Sequence, residues 1–547
     1  MFIRIFDEYR KHVSTIIASD LLKTITRYSR IQGSRELWKV VNELKTFAEE
    51  RGFETRILKI ESGSSSGFLD VPVSWDLKEA FLEIQRGNSL IARYSSYEHS
   101  TLVAAHSPGG EGCGYITICR DIKSCSGDVV LATGYTYELY KNIDASLILY
   151  YSENHYWDAF PYTGLFIKPG EEKPGKTVMT LPYRVASRLI SRIRKGDKIR
   201  VCWKADTEYH SEGLPVLIAC KGEDPGIVYI SHICHPKPGA HDNASGSAAN
   251  AIALDILSKT SKEYTFSSCH IWVPEYTGTV FVYDEMPWNP IGIINFDMVG
   301  SKQQITGSTL VIVNPPRFIN YKLTPVLWIA LQKTMDRSRS FSGVLEPLVK
   351  YSVTPYTIGS DHDVFTIWGY ESPMVNEWPS KYYHTDMDEV DSIDPTNTAY
   401  IGLAGVITGY MISHARRNKL ELYSKIYRDY IKSWYYSQAI KTGFSINYLT
   451  RYLIKKPLIE EPFEKPPIQS PIYSRKIYRI LGSEKYNEIR KINNALTYLE
   501  VYAPLAEILD IKDHVKRFKA ESLVKWRRRE EKIVVDAWER IKNELKI

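Results

Sequence analysis

Four short β-branched or aromatic runs in the middle of the chain each lead into a side chain that can bind a metal or move a proton. Val228-Tyr229-Ile230 is followed by His232, Cys234 and His235, then by a turn rich in Pro and Gly, then by Asp242-Asn243 and the small-residue stretch Ala244 to Ala249. Cys269 to Pro274 runs into Glu275, with Gly278 three residues on. Ile291 to Phe296 runs into Asp297, and Pro373 to Asn376 leads toward Tyr382-Tyr383-His384-Thr385-Asp386. Such runs read as buried strands, which puts the polar residues beyond the carboxyl ends of strands, where open α/β sheets keep ligands and metals. A lone His or Asp after a strand is ordinarily a cap or a satisfied polar group. His, Asp, Glu, Asp and His in this order constrain the chain to an α/β fold with a site at one sheet edge. Imidazole and carboxylate together suit zinc.

The matching pieces are Cys234-His235-Pro236, Asp242-Asn243-Ala244-Ser245-Gly246, Pro274-Glu275 with Gly278, Asn295 to Gly300, Gly359-Ser360-Asp361-His362 and Tyr383-His384-Thr385. In order and wording they resemble the co-catalytic zinc aminopeptidases, the clan that also holds glutamate carboxypeptidase and the transferrin receptor. Within it they are similar to an uncharacterised aminopeptidase-like branch with a Cys-His-Pro signature. The resemblance covers roughly residues 180 to 415. It implies a mixed central sheet with helices on both faces, His235 and Asp297 on one zinc, Asp242 bridging to a second, His384 on that second metal, and Glu275 as general base. The chemistry explains these residue types. Zinc brings a water to a pKa of about 7 and polarises the scissile carbonyl, and a bridging carboxylate holds two metals roughly 3.5 to 4 Å apart. The base must be a carboxylate near that water but not itself bound to metal, so that it can carry the proton to the leaving amine.

Two departures leave alternatives open. Where the family's commonest form has a second glutamate as metal ligand, this chain has Tyr276, and a neutral phenol is a poor zinc ligand; one zinc site is expected to be firm and the second stays open. The family's single histidine has two candidates here, His235 by its Cys-His-Pro wording and His232 by its place at the strand end. His232, Tyr276, Asp361 and His362 therefore stand as residues that could bind metal or support those that do. Asp361-His362 matches a family loop bordering the substrate cleft; an Asp-stabilised turn is the plainer reading. His241, Asp386 and Asp388 read as solvated turn residues, and Glu377 as an exposed loop carboxylate.

At 547 residues the chain should hold more than one domain. Residues 1–69 read as two N-terminal helices and the first strand of the catalytic unit. Residues 70–181 are β-rich, and their strand–helix–strand wording around Gly127 to Tyr151 resembles a protease-associated insertion. Residues 182–416 form the catalytic domain, its sheet resuming near Lys198 to Val201 and Val216 to Ala219. Residues 417–471 read as a helical extension and a Pro-rich linker, and 472–547 as a helical, winged-helix-like region. Residues 511–547 carry 12 Lys and Arg against 7 Asp and Glu. Interleaved Glu521, Glu530, Glu531 and Glu539 favour a solvated helix face over nucleic-acid binding.

Seven cysteines are too few and too scattered for a disulfide framework, so Cys113, Cys119 and Cys125 read as buried or free thiols. Charges at Arg4, Asp7, Glu8, Arg10 and Lys11 break any signal-peptide core, and no run is long enough to span a bilayer; a cytoplasmic location is the expectation, with no membrane partner. The function expected is a zinc-dependent aminopeptidase acting on peptides. Another amide hydrolase on the same fold, or a silent binding protein as in the transferrin receptor, is the alternative. Assembly into a homo-oligomer stays open.

Overall fold

The computed structural model describes residues 2–547. Its larger sheet has eight strands in the order Glu54–Ile60, Leu214–Lys221, Ser268–Val273, Ile227–His232, Gly292–Asp297, Met374–Trp378, Thr309–Val313 and Tyr351–Thr354. The four strands from Ser268–Val273 to Met374–Trp378 are mutually parallel, so their carboxyl ends meet at one edge. The chain passes from Ile227–His232 to Ser268–Val273 on one side and then to Gly292–Asp297 on the other, which opens a crevice at the reversal. Side chains of these three strands are buried throughout, as expected for parallel strands covered on both faces.

Helices cover both faces. On one, Gly246–Lys259 and Pro395–His414 pack with the N-terminal helices Thr15–Thr26 and Arg35–Glu49. Glycine lets Pro395–His414 lie close to the sheet. A Cβ at Gly405 would sit 2.8 Å from the Phe296 ring, and one at Gly409 would meet the Tyr229 hydroxyl at 2.5 Å. Asp394 caps this helix by accepting from Thr396 and Asn397. On the other face Val228, Ile230, Val273 and Ile293 share one apolar core with Ile472, Ile477, Tyr498 and Trp538 of the C-terminal helices. The Pro-rich segment is tied down along that face: Leu458 and Ile459 donate to the Phe318 carbonyl, and Phe463 donates to that of Trp368.

A second sheet of seven strands runs Ser89–Ser95, Ser74–Arg86, Ile199–His210, Gly110–Ile118, Ser126–Ala132, Asp144–Tyr150 and Thr177–Thr180. Strands Ser126–Ala132 and Asp144–Tyr150 are parallel and joined by helix Thr136–Asn142. Of the two stretches expected to resume the catalytic sheet, Val216 to Ala219 does so within Leu214–Lys221, but Lys198 to Val201 does not; Ile199–His210 pairs with Ser74–Arg86 and Gly110–Ile118. The alternation of buried Ile199, Val201, Trp203 and Ala205 with exposed or half-buried neighbours is that of a half-covered antiparallel strand. The larger sheet resumes at Leu214, whose run is buried through Ala219.

The cysteines correct a second expectation. Cys113–Cys202, Cys119–Cys125 and Cys220–Cys269 are disulfides, and only Cys234 is free among the described residues. Two of the bridges join directly opposed residues of antiparallel strands, a register that cysteine spacing does not reveal. The N-terminal region also holds three helices rather than two, Phe2–Arg10, Thr15–Thr26 and Arg35–Glu49, because Ser14 starts a new one by accepting from Ile17. Among the described residues no helix is long and apolar enough to cross a membrane.

Candidate metal centre

The parallel strand ends deliver their polar residues to one place. His232 is the last residue of Ile227–His232, Asp297 the last of Gly292–Asp297, and Glu275 lies two past Val273. Asp242 comes from the turn before helix Gly246–Lys259, and His384 from the loop after Met374–Trp378. Asn243 binds these pieces together. Its amide nitrogen donates to the carbonyls of His232 and Phe296, and its oxygen accepts from the backbone N–H of Gly246 and Met298. Gly246 is needed there, since a Cβ would lie 2.3 Å from the Phe296 carbonyl oxygen.

Two groups of three side chains, His232–Asp242–Asp297 and His235–Asp242–His384, have ligand atoms within 4.8 Å of one another. Asp242 divides its oxygens between them. Oδ1 faces His232 Nε2 at 3.2 Å, while Oδ2 faces His384 Nε2 at 3.2 Å and His235 Nε2 at 3.4 Å. His232 Nε2 also lies 3.4 Å from Asp297 Oδ1. His232 Nδ1 and His235 Nδ1 lie 3.1 and 3.0 Å from the carbonyl oxygens of Cys234 and Pro236. Donation there turns each Nε2 lone pair toward the carboxylates. His235 Nε2 and Asp297 Oδ1 are buried without a hydrogen-bond partner, the condition a metal would relieve.

This groups the candidate ligands differently from what the resemblance implied. His235 sits with His384 rather than with Asp297, and His232 takes the place beside Asp297. The strand end carries His232 directly to its neighbour strand, whereas His235, three residues into the loop, folds back over Asp242. Gly239, at φ +51°, makes room for that fold, because a Cβ there would meet His235 Nδ1 at 2.5 Å.

Tyr276 is turned away from both groups: its hydroxyl donates to Asp363 at 2.7 Å and its ring packs edge-on against Tyr473. Asp361 is buried and accepts from the Tyr276 N–H at 2.8 Å and from the Thr279 hydroxyl, so it fixes the turn after Glu275. His362 is buried, with Nε2 bonded to the Thr357 carbonyl. Glu275 itself is held by its backbone. Its N–H donates to Cys234 Sγ at 3.0 Å, and its carbonyl accepts from Gln32 Nε2 at 3.1 Å. Burial pushes the Glu275 carboxyl well above the usual range; His232 opposes this, while Asp297 and Asp361 add to it. Burial lowers His384 against the attraction of Asp242, which favours the neutral imidazole. Asp242 is held well below the usual carboxylate range, against burial, by His235, His232 and His384.

Several residues read as solvated are buried supports. Asp388 accepts from the N–H groups of His241 and Asp242, and burial pushes it up to about 7. His241 is buried, its Nδ1 bonded to Ser380 Oγ at 3.0 Å. Glu377 accepts from the N–H groups of Gly300 and Ser301 and from the Ser308 hydroxyl. Asp386 accepts from the Phe160 N–H at 2.9 Å and pairs with His99 Nδ1 at 2.7 Å. Arg30 and Tyr162 carried no sequence signal. Arg30, fully buried, donates to the carbonyls of Ile25, Tyr28, Ile233, Pro238 and Gly239. The Tyr162 ring packs edge-on against both His235 and His384 at 4.8 and 5.0 Å.

Two cavities meet at Asp242, Glu275 and His384. One, of about 600 Å³, is walled by Met298, Val311, Val313, Met374, Trp378 and Tyr383. The other, of about 590 Å³, runs past His235 and Tyr162 to the C-terminal helices.

The fold is that of solved peptidases. The chain is similar to the Peptidase M28 precursor from Shewanella amazonensis, at 13% identity over 76% of this chain and 97% of that one, with a TM-score of 0.54. It is also similar to BSAP, a zinc aminopeptidase from Bacillus subtilis, at 15% identity over 72% of this chain and 95% of that one, with a TM-score of 0.51. No family model and no curated protein matches the sequence.

Proposed function

We propose that the chain is a two-zinc hydrolase that cleaves the amide bond after an apolar residue or acyl group, with the N-terminal residue of a peptide as its first candidate substrate. The observation that carries this reading is the division of Asp242, one oxygen toward His232 and Asp297 and the other toward His235 and His384. His232, Asp242 and Asp297 would hold one zinc, and His235, Asp242 and His384 the other. In this reading His235 takes the ligand place that Tyr276 cannot fill, which supports a hydrolase over a silent binding protein.

Bound zinc supplies Lewis acidity and lowers the pKa of a water to about 7. Glu275 takes the proton from the attacking water and returns it to the leaving amine. The apolar cavity beside Met298, Met374 and Trp378 receives the acyl side.

The test is Glu275→Gln in zinc-loaded protein. Turnover of aminoacyl amides should fall by about 10² to 10⁴ with zinc content unchanged. A wild type inert toward aminoacyl, N-acyl and peptide substrates with added zinc would overturn the reading.

A further inference from the structure

The second cavity is chemically unlike the first. Past the metal ligands it is walled by the C-terminal helices Ser474–Leu481 and Ser483–Arg490, which contribute Arg475, Lys476, Arg479 and Arg490. Arg479 is committed to Asp70 and Glu171. Arg475, Lys476 and Arg490 have no ion-pair partner among the described residues. The Arg475 guanidinium donates to the Leu165 carbonyl and lies over the Tyr137 ring at 4.3 Å; Arg490 lies over the Tyr135 and Tyr486 rings at 5.7 and 5.9 Å.

Little in the same wall balances these cations. Asp70 already pairs with Lys168 and Arg479. The other carboxyl there, Glu500, accepts from the Ser474 hydroxyl at 2.5 Å, and burial pushes it up to about 8, so it is mostly neutral near pH 7. Tyr473, whose buried hydroxyl has no hydrogen-bond partner, lines the same cavity as Glu275 and the cations. The cavity therefore joins the metal ligands, an unused hydroxyl donor and unpaired guanidinium and ammonium groups.

We infer that this cavity is a subsite for an anionic group on the amine side of the scissile bond, so that the substrate is an amide whose leaving half carries a carboxylate: an amino acid or short peptide with a free C-terminus. The inference rests on the hydrolase reading for its chemistry, but not for its binding. Guanidinium groups pair with carboxylates through charge-assisted bonds, and the volume of about 590 Å³ lies within the range of small-ligand sites.

The experiment compares Leu-Gly with Leu-Gly-amide on the zinc-loaded full-length chain. It is repeated for Arg490→Gln, Arg475→Gln and the double variant Lys476→Gln/Arg490→Gln, with thermal unfolding of each compared to wild type because Arg475 also bonds the Leu165 carbonyl. The free carboxylate should be favoured in kcat/KM by about tenfold or more, and each variant should bring that ratio toward one. Equal rates on the two substrates in wild type, or a ratio unmoved in all three variants, overturn the subsite while the hydrolase reading stands. A preference for an acidic residue on the acyl side overturns it as well. If neither substrate is turned over, the hydrolase reading fails and calorimetric binding of the same pair decides. A carboxylate-dependent affinity lost in the variants supports the subsite, and equal affinities overturn it.

Discussion

Arg30 and His235 exchange both of their backbone hydrogen bonds, at 2.8 and 2.9 Å, across an isolated bridge. The Arg30 side chain then holds the carbonyls of Ile233, Pro238 and Gly239 on either side of that histidine. Burial lowers the guanidinium only to about 10, so it stays charged. A charged group without a bonded carboxylate is satisfied here by five carbonyl oxygens, and the loop bearing His235 takes its shape from them.

Arg30→Lys should therefore cost stability and metal together. An ammonium has three donors on one atom and cannot reach carbonyls spread around a planar fork. The expected loss is about 3 kcal/mol, measured by denaturant unfolding of the apo protein, with weakened binding of one of two zincs. A variant of wild-type stability would contradict this role.

Zinc counting separates the two groups of ligands. At saturating zinc the wild type should hold two ions per chain, His232→Ala and His235→Ala about one each, and Asp242→Ala none held tightly. Full occupancy in His235→Ala would return that histidine to a supporting role.

Tyr276 should prove structural. Tyr276→Phe removes a bond to Asp363, which keeps those from Tyr356 and Gly359, at about 1 kcal/mol of stability and no change in zinc content. Tyr276→Glu should not raise zinc content either, because the side chain points at Asp363. A gain of metal in that variant would show that the residue can swing toward the centre.

Glu500 gives a pH signature. Its folded pKa, about 8, lies above the usual 4.5, so the folded state binds the proton more tightly than the unfolded chain. That contribution is complete below about pH 4.5 and is lost as pH rises through about 8. Glu500→Gln should unfold at nearly the wild-type temperature near pH 5 and several degrees higher near pH 8.5. A difference that stays constant with pH would be incompatible with the shift.

The sequence made the strand ends legible because period, composition and a following polar residue coincide at His232, Glu275 and Asp297. It left the ligand partition open, since whether His235 or His232 faces Asp297 depends on a loop shaped by Arg30, some two hundred residues earlier. The supports Asp386, Asp388 and Glu377 looked solvated because a turn carboxylate has the same wording whether it faces water or backbone N–H groups. The alternation of Ile199–His210 marks a half-covered strand, but the sequence does not say which of the two sheets it joins. The disulfides needed the cross-strand register of Cys113 with Cys202 and of Cys220 with Cys269, which only pairing supplies.

The loop carrying His384 is stitched at several points to loops that connect strands of the seven-stranded sheet. The Tyr162 N–H donates to the His384 carbonyl at 2.6 Å, Pro161 bridges Thr385, and Asp386 clasps Phe160 and His99. These connecting loops cannot lift away like a hinged door without dragging the His384 loop with them. The position of the His384 loop is thus coupled to the loop that carries Phe160, Pro161 and Tyr162, and one cannot shift without breaking its bonds to the other.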